Sequence, residues 1–343
     1  RRSPEPPEME NEETADVLAP IPVAEEFGTP EEDAWRRDFT VNGLFYNIAD
    51  FSVIDHVGGL ADLDRGVIRT IGPPRARFSE DPVRMMRAVE YAARLSFAMD
   101  GETGEALDEL KGEIRRAAPA RIAYELNESL MTRQTEPIIR GLAERGILGL
   151  ILPRVCGPRS TGPGGVLWQL LAAADRTRAR GQALAEETLL GLLFLPGLLD
   201  LFADSAGVPV EPGELEALVR DHINPSALEL ALSNFRAHLV RMSYACLIRL
   251  LSPPRSPRLV LRTVRHEGFA VAWQLAELLH EATGLRGEAL ASWRAAVKRV
   301  QAGLAPLEER PTPAVSEGRR RRRGGRRRRG RAQAPVVVEA GHG

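Results

Sequence analysis

Two short stretches of this chain carry acids and arginines at spacings that aim them at one another. In Glu80-Asp81-Pro82-Val83-Arg84-Met85-Met86-Arg87-Ala88, helical geometry puts positions 81, 84 and 88 on one face and Glu80, Arg84, Arg87 and Tyr91 on the next. One helix thus offers a carboxylate and two guanidiniums to one side. A carboxylate beside an arginine fork can read the edge of a nucleobase, and a second arginine can hold phosphate. The same spacing also suits a surface helix whose charges merely pair with each other. The second stretch, Arg36-Arg37-Asp38-Phe39-Thr40-Val41-Asn42, repeats the theme: cations for phosphates, and in Asp38 a carboxylate able to hold a divalent metal. A helix end with solvated charges explains this tripeptide equally well. What favours a site is that the two clusters occur together, separated by glycines where backbone must turn tightly or approach a ligand.

The elements that must position these residues are legible in outline. The stretch from Glu31 has acids at its start and apolar residues at Trp35, Phe39, Leu44 and Ile48, which predicts a short helix with Arg36, Arg37, Asp38 and Asn42 on its polar side. Alternation over 52–57, the Gly58-Gly59 pair, and a second apolar run over 67–71 predict one small β element. Gly72-Pro73-Pro74 breaks it, and Ser79 to Pro82 has the form of a helix start, so a helix is expected from Pro82 to about Phe97. Three- and four-residue apolar spacing then predicts helices over 106–116, 119–132, 136–150, 165–180, 186–201, 213–220, 227–251, 258–279 and 287–301. Asp62-Leu63-Asp64, which superficially resembles a metal-binding pair, is read as structural.

At 343 residues the chain has room for more than one core. Its formal charge of -1 hides an asymmetry. Ten arginines fall between Arg319 and Arg331, and the first 34 residues hold eleven acids against Arg1 and Arg2. Such ends are expected to be solvated tails, with residues 1–26 a Pro-rich acidic linker and 306–343 an Arg-rich tail. Arginines with glycines and no interleaved aromatic residue suit phosphate neutralisation without base readout. Two cysteines, Cys156 and Cys246, are too few and too distant to suggest a disulfide framework or a zinc site, which fits the cytoplasm. The apolar run 189–202 is interrupted by Gly191, Pro196 and Asp200 and is too short to span a membrane.

Together, Gly28 to Asn42, Gly58-Gly59, Ile68-Arg69-Thr70-Ile71-Gly72 and Arg77 to Ala88 resemble the second half of the head and the neck of the class II nucleotidyltransferases. These are the bacterial poly(A) polymerases and the CCA-adding tRNA nucleotidyltransferases. The likeness is dense over 27–153 and looser to about 305. It implies an α+β, mostly α fold: the C-terminal part of a nucleotidyltransferase palm over 27–78, a helical neck over 79–153 and an all-helical body over 154–305.

The wording from Phe27 to Ala34 and the arginine-rich tail resemble the poly(A) polymerases more than the CCA enzymes. The resemblance implies template-independent 3'-adenylation of RNA from ATP by two-metal phosphoryl transfer, with Mg2+ as cofactor and mRNA or tRNA 3' ends as partners. By resemblance, Asp38 is the catalytic and metal-binding acid of its motif, and Arg36, Arg37 and Asn42 are nucleotide-contacting neighbours. Asp81 and Arg84 match the pair that reads the incoming base, with Arg87 beside them for phosphate or base. RNA contacts are expected from Arg319, Arg320, Arg321, Arg322 and Arg323, and from Arg326, Arg327, Arg328 and Arg329.

Two departures accompany the likeness. The family's Asp-x-Asp on an early strand has no counterpart upstream of Arg36, so the chain is expected to be an N-terminally incomplete copy, inactive alone. Glu90 stands where a third arginine is usual. A CCA-adding enzyme and a non-catalytic RNA-binding derivative remain the competing readings.

Overall fold

Thr29 and Glu32 cap each other reciprocally: Glu32 N donates to Thr29 Oγ1 at 3.3 Å, and Thr29 N donates to Glu32 Oε2 at 2.8 Å. With Pro30 in the first turn, this starts α1 (Pro30–Arg36) in the computed structural model, which describes residues 28–204 and 212–302. The helix does not continue to Ile48 as its apolar spacing predicts. Arg37 is already extended, and Thr40 N donates to Arg69 O at 2.9 Å while Ile71 N donates to Asp38 O at 3.0 Å. Pairing with 69–71 satisfies the backbone here and buries Phe39, whereas Trp35 is left 53% exposed.

Beyond a 3-10 turn at Thr40–Asn42, β1 (Leu44–Tyr46) pairs antiparallel with β2 (Val53–Asp55). The Asp55 carboxylate then accepts four backbone N–H groups, from Val57, Gly58, Gly59 and Leu60, at 2.9 to 3.0 Å. Those bonds start α2 (Gly59–Arg65), where a mere turn is expected. β3 (Val67–Ile68) pairs in parallel with β4 (Ala98–Met99), not with β2, so the expected single β element is two separate two-stranded sheets.

Pro73-Pro74 opens a helix instead of only breaking a strand. Pro74 occupies the first turn of α3 (Pro74–Glu80), where a missing N–H costs nothing. Asp81 leaves that helix extended, so α4 (Arg84–Leu95) begins two residues later than expected and ends at Ser96 in the left-handed region.

The rest is helical: α5 (Gly101–Leu110), a 3-10 segment (Lys111–Arg116), α6 (Pro119–Met131), α7 (Thr135–Glu144), α8 (Ile147–Ile151), α9 (Pro158–Thr161) and α10 (Val166–Ala179). Then come α11 (Glu186–Asp204), α12 (Pro212–Glu229), α13 (Asn234–Leu250), α14 (Pro257–Val264), α15 (Phe269–Thr283) and α16 (Gly287–Gln301). The chain is therefore α+β and mostly α. The expected helix over 136–150 is two, parted at Gly146 with φ +79°. That over 258–279 is also two: Gly268 lies against the α13 backbone, where a Cβ would come within 2.4 Å of Met242 C.

α11 is apolar nearly all round, with Leu189, Leu192, Leu193, Leu195 and Leu198 buried, and it packs on α6, α10, α13 and α15. Each such leucine contributes about 1.5–3 kcal/mol. No helix among the described residues is long and apolar enough to cross a membrane. α7 has no side-chain cap of its own; Asp175 of α10 accepts from Thr135 N at 3.0 Å and Glu136 N at 2.8 Å. Buried Arg178 holds Asp175 at 2.7 Å and donates to Leu130 O at 2.8 Å, tying α6, α7 and α10 together.

Candidate nucleotide-reading site

The two clusters meet. Arg84 Nε donates to Asp38 Oδ1 at 2.8 Å, and Arg87 Nε lies 2.7 Å from Asp38 Oδ2, off-line for a hydrogen bond and so an ion pair. Asp38 is held there by its backbone pairing with Ile71 and by the end of α1. Its side chain is 16% exposed, and those of Arg84 and Arg87 are 15% and 30% exposed, so water screens these pairs little.

Helix ends aim the arginines. Arg77 Nη2 donates to the carbonyls of Arg36 at 3.0 Å and Arg37 at 2.8 Å, a cation on the C-terminus of α1. Arg84 Nη1 does the same for α3, donating to Arg77 O at 3.0 Å, and also reaches Glu80 Oε2 at 3.1 Å. Arg87 Nη1 lies 3.5 Å from Glu125 Oε1 of α6. Burial pulls the Arg87 guanidinium down, but Asp38 and Glu125 outweigh it, so Arg87 holds its proton more tightly than usual. Burial pushes the Glu125 carboxyl up, against the pull of Arg87.

Asp81 stands at the end of α3, turned toward α6: Arg121 Nη2 donates to its Oδ2 at 2.9 Å and Val83 N to its Oδ1 at 3.3 Å. Asp81 and Arg84 therefore do not pair with each other. Asn42 Oδ1 accepts from Phe39 N at 3.1 Å, and Asn42 Nδ2 approaches the Tyr91 hydroxyl at 3.5 Å. Tyr91 in turn lies edge-on to Phe39 and under the guanidiniums of Arg87 and Arg94, at 6.0 and 5.0 Å from the ring centre. Arg37 is drawn away to Asp33 at 2.8 Å and over the Phe45 ring at 5.5 Å. Arg36 is exposed and has no ion-pair partner among the described residues. Arg319, Arg320, Arg321, Arg322, Arg323, Arg326, Arg327, Arg328 and Arg329 lie outside the described residues, as do residues 1–26.

Gly59 serves packing: a Cβ there would lie 2.1 Å from Thr40 O. Asp62 is buried and accepts from Thr40 Oγ1 at 2.8 Å and Arg69 Nε at 3.0 Å. Glu90 is buried and pairs with Arg94 at 3.0 Å. Arg77, which lies in the motif without an assigned role, completes the network together with Arg121 and Glu125, which motif reading misses. Glu125 has a signal in retrospect, since it shares the buried stripe of α6 with Ile122, Leu126 and Ser129.

The Mg2+ that the resemblance implies does not fit what is described. Both Asp38 oxygens are paired with arginine, and no group of three His, Cys, Asp or Glu suited to a metal occurs among the described residues. A cleft of about 600 Å3 lies elsewhere, between α10 and α15. Its acids Glu281 and Glu277 are matched by Arg180 and Arg294.

The cluster at 36–42 falls within a stretch that matches a known family, and the cluster at 80–88 lies between two matched stretches. Residues 5–69 match the family described as Poly A polymerase head domain, and residues 96–156 match the probable RNA and SrmB-binding site of polymerase A. A 99-residue stretch, 29% of this chain, is 52% identical to Poly(A) polymerase I of Salmonella typhi but covers only 21% of that protein. A 112-residue stretch, 33% of this chain, is 38% identical to the CCA-adding enzyme of Bacillus pumilus and covers 28% of it. Among solved structures, the Bacillus stearothermophilus CCA-adding enzyme in complex with CTP has the same fold. The TM-score is 0.56 at 23% identity, over 79% of this chain and 60% of that one. The matched stretches are thus similar to the poly(A) polymerase head and RNA-binding families, and the chain spans about a fifth to a third of the length of the curated relatives it matches.

Proposed function

We propose that this chain selects ATP and an RNA 3' end for template-independent adenylation, as a polynucleotide adenylyltransferase of the poly(A) polymerase type. The observation that carries this reading is the pairing of Asp38 with both Arg84 and Arg87, which joins the two motifs into one site. In this reading residues 27–78 belong to the head, 79–153 to the neck and 154–305 to the helical body.

Arg84 and Asp81 face the incoming base. Adenine presents an exocyclic amino donor beside a ring-nitrogen acceptor. A carboxylate has about four acceptor positions, of which Arg121 and Val83 use two on Asp81. Asp81 can thus accept from the amino group while it is held in place, and Arg84 can donate to the ring. Arg87 supplies positive charge for phosphate. Asp38 orients both guanidiniums. The described residues form no metal site, so these roles rest on side chains alone.

The 52% identity to Poly(A) polymerase I of Salmonella typhi supports adenylation, whereas the 38% identity to the CCA-adding enzyme of Bacillus pumilus keeps CCA addition as the alternative. The test is extension of labelled RNAs that end with and without CCA, given ATP, CTP or both, by this chain fused behind a head segment that carries an Asp-x-Asp metal site. Runs of A on arbitrary 3' ends are expected. Completion of a three-nucleotide end on tRNA alone would replace this reading with CCA addition. RNA binding with no nucleotide binding would leave a non-catalytic RNA-binding derivative.

A further inference from the structure

From Leu230 to His266 the chain has seven arginines and two histidines and not one aspartate or glutamate. Elsewhere in the described structure most arginines meet an acid, as Arg75 meets Glu109 and Arg145 meets Asp108. Within this segment only Arg236 does, through Glu186 and Glu187. Arg255, Arg258, Arg262 and Arg265 are all exposed and have no ion-pair partner among the described residues.

Three of them are arrayed by α14. Positions 258, 262 and 265 are four and three apart, so they project from one face, spread over about 10 Å of helix length. The opposite face is occupied: Val260 and Thr263 are buried, and α14 packs on α16. The resulting field is felt next door. Burial lowers the affinity of His266 for its proton, and Arg249 and, less strongly, Arg262 lower it further against the pull of Glu267 and Glu216. Unmatched guanidiniums held on a rigid helix oppose folding through mutual repulsion and gain only when a polyanion meets them.

We infer that the exposed face of α14, with Arg255, Arg258, Arg262 and Arg265, binds the phosphodiester backbone of RNA without reading bases. This rests on the proposed function, and it adds a contact well outside the RNA-binding match at 96–156. A membrane surface is the poorer partner. An interfacial helix needs a large free apolar face, and that of α14 is spent on α16.

The test uses the full chain and single-stranded RNA. Neutralising Arg258, Arg262 and Arg265 to Gln should flatten the plot of log K against log salt concentration by about two, at roughly 0.7 for each phosphate no longer neutralised. A control with Arg75, Arg176 and Arg294 changed to Gln should leave the slope as it is, because each of these has an acid partner and lies outside the RNA-binding match. Circular dichroism and thermal melts check that both variants fold. If the native chain binds RNA and the α14 variant binds with the same slope, the inference is overturned while the proposed function stands. If the native chain binds no RNA, both fall. Salt-dependent binding of phosphatidylglycerol vesicles through these arginines, with RNA binding unaffected, would also overturn it.

Discussion

Arg84 Nε donates to Asp38 Oδ1 at 2.8 Å across 46 residues of sequence, and this bond fixes where the α4 guanidiniums point. Removing the charge should therefore act on both shape and recognition. Asp38→Asn leaves two largely buried guanidiniums without the anion they share, Arg84 keeping only Glu80 and Arg87 only Glu125. The expected cost is about 2–3 kcal/mol of stability, between the values for exposed and fully buried pairs. Denaturant unfolding measures it. In the same variant the Kd for ATP should rise at least about tenfold, or ~1.4 kcal/mol. A variant that melts earlier yet binds ATP as before would confine Asp38 to a structural role.

Asp81 and Arg121 make a contact of another kind. The Arg121 side chain is 57% exposed, so the pair is screened, and Arg121→Ala should cost less than about 1 kcal/mol. Asp81→Ala should be equally mild for stability and severe for base choice. Competition between ATP and CTP is expected to show at least a tenfold loss of preference in Asp81→Ala, and a smaller loss in Arg121→Ala, which only orients the acid. Equal preference in native and Asp81→Ala protein would remove Asp81 from the base-reading pair.

The sequence disclosed these motifs better than it disclosed their setting. Helical periodicity located most of the body, because burial on one face of a helix leaves a regular trace at Leu167, Leu170, Leu171 and Ala174. It failed where long-range pairing outweighs local preference. Phe39 and Thr40 fit a helix by spacing, yet hydrogen bonds to Arg69 and Ile71 hold the segment extended. α2 depends on Asp55 accepting four N–H groups, and α3 on Pro74 serving as a start. Arg121 and Glu125 could not be joined to Asp81 and Arg87 from sequence, since nothing local says that α6 crosses beside α4.

Glu90 should give the protein a distinctive pH dependence. Burial pushes its carboxyl up, Arg94 and Arg87 pull it down and Glu128 pushes it up again, leaving it above the ordinary carboxylate range. The folded state then binds a proton more tightly than the unfolded chain does. Stability from this group is full below the unfolded pKa and is lost as pH rises through the raised folded value. Glu125, raised chiefly by burial, contributes with the same sign. Unfolding free energies measured from pH 4 to 7 should fall less steeply in Glu90→Gln than in native protein. An unchanged slope would mean that Glu90 ionises as a solvated acid does.

Gly58 and Gly59 are adjacent and should respond differently to a single methyl group. Gly58 has φ +80° with open space around a Cβ, so Gly58→Ala suffers only the left-handed backbone, about 1–2 kcal/mol. At Gly59 a Cβ would stand 2.1 Å from Thr40 O, a backbone atom that cannot swing aside. The 3-10 turn at Thr40–Asn42 would have to move, at a cost of about 1–3 kcal/mol or more. That turn begins two residues after Asp38 and carries Asn42, which accepts from Phe39 N. Gly59→Ala should therefore weaken ATP binding as well as stability, whereas Gly58→Ala should lower the melting temperature alone. Calorimetric titration of ATP into both variants below their melting temperatures separates the two effects. Equal ATP affinities would show that Asp38 keeps its place without the α2 contact.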